Sequence, residues 1–216
     1  VGGNVWNPVL ELLDDGYRAQ VVEWWEAADL GLEILGGMRS RETVVAGWSL
    51  GGQVALRLAA ESRFAGVVMV SSMVNLVKGE SRPGVDPGVP RAIEGMLDRN
   101  RRAYLRAFFE RCLSPVADPE LVRLLLEESG KQSTELLVKG LNYMQEDAPV
   151  PADVPIALLH GLEDEIIPPA CSGYVKELSG GNAEVEYLPG TGHMVPILEA
   201  SVTAEKIDGF CRYRSS

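Results

Sequence analysis

Val45-Ala46-Gly47-Trp48-Ser49-Leu50-Gly51-Gly52-Gln53 sets a serine between glycines at the point where one kind of secondary structure gives way to another. Ahead of it, Thr43-Val44-Val45-Ala46 is a short β-branched apolar run that reads as a strand. Behind it, Val54-Ala55-Leu56-Arg57-Leu58-Ala59-Ala60 is built of strong helix formers. Strand, sharp turn and helix in that order make a nucleophile elbow. Such a turn strains the backbone of the serine and brings neighbouring chain close, so the spacing predicts that small residues are required at Gly47 and Gly51. The strain projects the Ser49 hydroxyl outward at a helix N-terminus, where the Leu50 N–H faces a developing oxyanion.

A serine hydroxyl is a weak nucleophile at neutral pH and needs a histidine base, itself oriented by a carboxylate. The chain has two histidines. His193 lies in the glycine-rich Pro189-Gly190-Thr191-Gly192-His193-Met194-Val195-Pro196, after the strand-like Val185-Glu186-Tyr187-Leu188. His160 ends the apolar run Pro155-Ile156-Ala157-Leu158-Leu159-His160. A base must move its ring between nucleophile and leaving group, which a loop permits better than a strand end, so His193 is the expected base. The turn after Leu159 carries Glu163, Asp164 and Glu165. Asp164 is the expected acid, with the two glutamates as solvated flanks and His160 as a structural ring bracing the turn by a hydrogen bond.

Taken together, Ser49, Asp164 and His193 follow in the order nucleophile, acid, base, and the chain resembles the α/β-hydrolase superfamily along nearly its whole length. Gly47-Trp48-Ser49-Leu50-Gly51-Gly52, the His160-Gly-x-x-Asp164-x-x-x-Pro168 turn and the arginine-bearing segment between them resemble one branch in particular. That branch is the pimeloyl-[acyl-carrier protein] methyl ester esterases of biotin synthesis. The resemblance implies a carboxylesterase that removes a methyl group from an acyl chain carried on acyl-carrier protein, without a cofactor. Spacing and composition alone reach only a serine hydrolase. A small-ester esterase, a thioesterase, a carbon–carbon bond hydrolase and a non-catalytic binding protein of the same ancestry therefore stay open.

Composition fits one α/β core. With 216 residues, 46% of them hydrophobic, there is chain enough for a large core but not for a second one. A net charge of -11 argues against nucleic acid as a partner. Cys112, Cys171 and Cys211 lack metal-ligand spacing, and their odd number argues against a disulfide framework, so a cytoplasmic setting is expected. No apolar run is long enough to span a bilayer, and no signal peptide is expected.

Helices and strands alternate, which predicts a mostly parallel sheet flanked by helices. Helices are expected at Asn4 to Leu13, Leu30 to Met38 and Ser201 to Tyr213, and strands at Tyr17 to Trp25, Glu42 to Ala46, Phe64 to Ser71, Pro155 to Leu159 and Val185 to Leu188. Residues 1–80 and 148–216 then form the core, and 81–147 a helical lid inserted over the strand ends. The family's usual strand ending in a His-Gly-Trp-like turn, source of a second oxyanion donor, is not found ahead of Val1-Gly2-Gly3-Asn4, so the N-terminal strands are expected to be missing.

The lid carries six arginines between Arg91 and Arg111. Arg99, Arg102 and Arg106 are spaced to share a helix face, with Phe108, Phe109 and Cys112 on an apolar one. The expectation is an acidic carrier protein docked on the arginines and an acyl chain held by Phe108, Phe109 and Cys112 beside Ser49, Leu50 and His193. The alternative from charge pattern alone is a solvated amphipathic helix with its arginines paired to Glu94, Asp98 or Glu110.

Overall fold

Four apolar runs pair edge to edge into one parallel sheet in the computed structural model, which describes residues 2–36, 38 and 40–212. In chain order the elements are α1 (Asn7–Leu10), α2 (Trp24–Leu30), β1 (Val44–Trp48), α3 (Leu50–Glu61), β2 (Gly66–Val70), α4 (Val89–Leu113), α5 (Pro119–Ser129), α6 (Thr134–Tyr143), β3 (Ile156–Gly161), α7 (Ala170–Leu178), β4 (Ala183–Leu188), α8 (Val195–Leu198) and α9 (Ala200–Arg212). Spatial order equals chain order, β1-β2-β3-β4. Parallel neighbours require long crossovers, and the chain supplies α3, the α4–α6 segment and α7 for them.

β2 and β3 are buried along their whole length, the signature of central strands covered on both faces. On one face Val67, Met69, Ile156 and Leu158 pack against Val54, Leu58 and Val175 of α3 and α7. On the other, Val68, Val70 and Leu159 meet Val195, Val202, Ile207 and Phe210 of α8 and α9. A Cβ at Gly66 would come within 2.5 Å of the Phe210 ring, so α9 lies directly on the start of β2. A third cluster, Leu97, Leu105, Phe109, Leu113, Val122 and Leu125 with Met194, binds α4 and α5 over the carboxyl ends of the strands.

The expected strand at Tyr17 to Trp25 does not form. Residues 17–23 run without strand pairing, and Glu23 and Glu26 form a reciprocal capping box that starts α2 at Trp24. The outer edge of β1 stays open, but this segment does not pair with it, and the capping box satisfies backbone donors locally. The first expected helix is a 3₁₀ turn at Gly3–Trp6 followed by α1. The second shortens to a 3₁₀ turn at Gly31–Leu35, with Gly37 outside the described residues. Tyr213, the expected end of the last helix, is outside them too.

No described strand pairs with the outer side of β1. Thr43 carbonyl and Ser49 N–H bond toward β2, at 2.9 Å each. By the alternation of a parallel ladder, the backbone groups of Val44, Ala46 and Trp48 face outward. Between β2 and β3, Gln53 fastens the two ends of the helical segment. Its fully buried Nε2 donates to Val74 and Glu146 carbonyls at 2.9 and 2.6 Å. Among the described residues no helix is long and apolar enough to cross a membrane.

Candidate active site

Ser49 sits between β1 and α3 with φ 54° and ψ -122°, a conformation that L residues rarely adopt. The turn is held closed by Ser72 Oγ, which donates to Ser49 carbonyl at 2.6 Å, and by Ser49 N–H, which donates to Val70 carbonyl at 2.9 Å. The glycine requirement differs in part from expectation. A Cβ at Gly47 would lie 2.2 Å from Gly51 carbonyl oxygen, but one at Gly51 would meet nothing within 4 Å. The second tight position is Gly52, whose Cβ would press on Ser72 Oγ at 2.4 Å. Helix packing against the end of β2 therefore sets the second small residue one place further on.

Asp164 follows β3 and His193 follows β4, and the two loops interlock. Glu163 N–H donates to Thr191 carbonyl, Thr191 N–H to Glu163 Oε2, each at 3.1 Å. A Cβ on Gly161 would strike Gly192 and Thr191 carbonyls at 2.2 Å, so only glycine admits this approach. Across it, His193 Nδ1 lies 2.7 Å from Asp164 Oδ2, and His193 Nε2 lies 3.0 Å from Ser49 Oγ. All three expected residues thus form one hydrogen-bonded line at the carboxyl ends of the strands.

The line is dry on the acid side. His193 and the Asp164 side chain are fully buried, and Asp164 Oδ1 accepts the N–H groups of Ile166 and Ile167 at 2.8 and 2.9 Å. Burial pushes the Asp164 carboxyl up. The charge of His193 and hydrogen bonds from His160 and His193 outweigh burial and hold it well below the usual carboxylate range. An acid so held stays ionised and keeps the proton of Nδ1 on the ring, which leaves Nε2 free to accept from Ser49. Trp48 adds a hold that the sequence reading missed: its indole N–H donates to His193 carbonyl at 2.8 Å.

Leu50 is the first residue of α3, where a backbone N–H has no acceptor within the helix. Ser49 and Leu50 both line a cavity of about 860 Å³, together with Trp24, Phe108, Phe109 and Leu137. The same cavity runs along β1 from Thr43 to Trp48. Gly3 also lines it, but its N–H is committed to Glu23 Oε1 at 2.9 Å. His193 is not among the lining residues, and neither is Cys112. Cys112 is fully buried near the end of α4, against the His193 loop, where its carbonyl accepts Met194 N–H at 3.0 Å. Its side chain is therefore taken up by packing and does not face the cavity.

The glutamates flanking Asp164 are not merely solvated. Glu165 is held by Arg111, with Nη2 on its carbonyl at 2.5 Å, and by Ser114 Oγ at 3.2 Å, so the end of α4 grips the acid loop. The arginine face is broken as well. Asn100 leaves helical geometry with φ -159° and ψ 77°, and Arg99 on its near side folds back to Gly95 carbonyl at 2.9 Å. Arg102 and Arg106, beyond the kink, remain exposed one turn apart. Among the described residues neither makes an ion pair with Glu94, Asp98 or Glu110. The described residues hold no group of three or more His, Cys, Asp and Glu side chains arranged for a metal ion.

A parallel sheet bearing a strained serine at a strand-to-helix turn, with an acid after β3 and a histidine after β4, defines a class, and residues 11–206 match the alpha/beta hydrolase family. The chain belongs to that family and is a hydrolytic enzyme whose relatives are esterases. It is 22% identical over 216 residues to a pimeloyl-[acyl-carrier protein] methyl ester esterase of Pseudoalteromonas atlantica, covering 89% of this chain and 83% of that protein. A protein of the same name from Nitrosospira multiformis is 30% identical over 174 residues, 73% of this chain and 63% of that one. An esterase from Exiguobacterium antarcticum shares the fold, with a TM-score of 0.87 at 17% identity over 98% of this chain and 88% of its own.

Proposed function

We propose that the protein is a serine carboxylesterase that hydrolyses the methyl ester of an acyl chain carried on acyl-carrier protein. The observation that carries the reading is the Ser49–His193–Asp164 line, 3.0 and 2.7 Å long, opening on an apolar cavity. Two curated relatives bearing the name of that activity support the substrate.

In this reading His193 Nε2 takes the Ser49 proton as Oγ attacks the ester carbonyl carbon, and the carbonyl oxygen gathers negative charge against Leu50 N–H. One such donor supports the transition state by roughly 3 to 4 kcal/mol. The bond from carbon to methoxy oxygen then breaks, Nε2 returns the proton, and methanol leaves an acyl-enzyme. Water repeats the sequence, giving its proton to Nε2 and its oxygen to the acyl carbon, and Ser49 is restored with a free carboxylate as product. Asp164 stays ionised throughout and holds the imidazolium in register.

Phe108 and Phe109 line the cavity and are the proposed walls of the acyl channel. Residues 81–147 act as the lid, and exposed Arg102 and Arg106 are the proposed contacts for an acidic carrier, with Arg99 a peripheral one across the kink. Turnover of a methyl pimeloyl-carrier substrate against free short-chain methyl esters tests the proposal. Labelling by a fluorophosphonate, lost in Ser49→Ala, is expected together with a preference for the carrier-linked ester. Charge reversal at Arg102 and Arg106 is expected to raise KM for that substrate alone, most at low salt, because exposed charges are screened within about 8 Å at physiological ionic strength. Labelling of Ser49 with faster turnover of small free esters would replace the carrier substrate by a general esterase.

A further inference from the structure

The reaction just described leaves His160 without a task, yet this fully buried ring stands against the acid itself. Its Nε2 is 3.1 Å from Asp164 Oδ2 and 3.0 Å from Ile167 carbonyl oxygen, and its Nδ1 is 2.7 Å from Ser172 Oγ. Two acceptors face Nε2, so the ring carries a proton there. Nδ1 then shares a hydrogen bond with the Ser172 hydroxyl, and the buried Ser172, on the first turn of α7, fixes the ring plane.

A carboxylate offers about four acceptor positions. In Asp164, Oδ1 uses two on the Ile166 and Ile167 N–H groups, and Oδ2 uses one on His193. One remains on Oδ2, and the His160 Nε2–H, whose aligned hydrogen bond goes to Ile167 carbonyl, stands 3.1 Å from it as a bent second contact. A ring that only braced the turn would need Ile167 carbonyl and Ser172 and no contact with the carboxylate. We propose that His160, locked by Ser172 and Ile167 carbonyl, is a positioning residue: with its Nε2–H shared between Ile167 and the last open acceptor of Asp164, it steadies the carboxylate and limits how strongly Asp164 retains a proton on His193, which sets the acidic limit of hydrolysis. This inference rests on the serine-esterase reading above.

The other groups around the pair do different work. Cys112 of α4 and Cys171 of α7 feel the Asp164 charge, and burial keeps both thiols protonated. Glu163 is taken up by Thr191 N–H, Glu165 by Arg111 and Ser114, and Glu199 by Thr191 Oγ1. His160 is thus the ionisable neighbour that reaches Asp164 Oδ2 besides His193.

The test is the pH dependence of kcat and kcat/KM on a small soluble ester for wild type, His160→Leu, His160→Gln and Ser172→Ala, with sites counted by fluorophosphonate titration. A carboxylate relieved of one donor holds the His193 imidazolium more firmly, so in His160→Leu the acidic limb is expected to move up by about one pH unit with KM little changed. The amide N–H of His160→Gln is expected to return most of that shift, and Ser172→Ala to show a smaller one in the same direction. An unmoved limb in His160→Leu, with activity lowered equally at every pH, overturns the proposal and leaves a structural prop. Should His160→Leu yield no titratable sites, Ser172→Ala decides by the same criterion. Nitrogen NMR of the wild type gives a readout apart from activity: a His160 ring protonated at Nε2 is expected, and one protonated only at Nδ1 overturns the proposal. Failure of the wild type to label at Ser49 would remove the serine-esterase reading, a result distinct from either.

Discussion

β3 and β1 each deliver a candidate catalytic side chain, but they are built differently. β3 is paired on both sides, all six of its residues are buried, and in the loop it feeds Asp164 is held by the Ile166 and Ile167 N–H groups and by His193, with His160 of β3 3.1 Å away. β1 is paired to β2 alone, four of its five residues are half-buried, and its outer side faces the cavity. Ser49 is nevertheless held, because the elbow fixes it through its own backbone and through β2. Asp164 is positioned by tertiary contacts and Ser49 by local strain. Damage to the sheet should therefore reach Asp164 and His193 before it reaches Ser49.

The largest expected effect lies on the acid side. Asp164→Asn keeps the shape of the side chain but permits the wrong tautomer of His193, and kcat on a soluble ester is expected to fall roughly 10⁴-fold. A loss below tenfold would show that β3 does not carry the acid. Packing comes next. Leu158→Ala in β3 is expected to cost about 2 to 5 kcal/mol in urea unfolding, and Val44→Ala in β1 about 1 kcal/mol or less. Equal costs would erase the contrast between the strands.

Alkaline pH probes the groups buried behind the acid. Burial, with Asp164 nearby, pushes the Cys171 thiol from an ordinary 9.0 up to about 12, and burial pushes the Tyr104 hydroxyl from 10.0 to about 12. Both are raised in the folded protein, so the stability they represent is whole below about pH 9 and drains away as the unfolded chain ionises first between pH 9 and 12. Asp164 has the opposite sign. Its folded value is depressed below 3.8, so its contribution is present above that pH and lost as pH falls through it. Urea midpoints are expected to decline on both flanks, and a flat alkaline flank for the wild type would show that these groups are not shielded. The smallest effect is at the elbow: Gly51→Ala, with open space around its Cβ, is expected to change stability by no more than about 1 kcal/mol in either direction, whereas Gly47→Ala drives backbone into backbone.

Much of the candidate site was legible because its signals are short. Gly47-x-Ser49 between a β-branched run and a helix former, Asp164 after an apolar strand and His193 in a glycine loop each depend on a few consecutive residues. Elsewhere the reading overran. Val21-Val22 ahead of two tryptophans suggested a strand, although Glu23-Trp-Trp-Glu26 already held the capping signal that starts α2. The arginine face assumed an unbroken helix, and Asn100 broke it between Arg99 and Arg102. Gln53, the one polar side chain among the buried residues of α3, makes a clasp that the sequence reading did not find.

The sequence by itself determined where a strained serine stands and in what order Asp164 and His193 follow, since backbone preferences and turn chemistry act over a few residues. Only the tertiary structure decided which groups share the acid. The 3.1 Å approach of His160 to Asp164, the grip of Arg111 on Glu165 and the indole of Trp48 on His193 join elements that are far apart in the chain or lie on opposite sides of a loop. Such contacts depend on distance and direction in the packed sheet, and hydrogen bonds reward a match of a few tenths of an ångström that no spacing along the chain encodes.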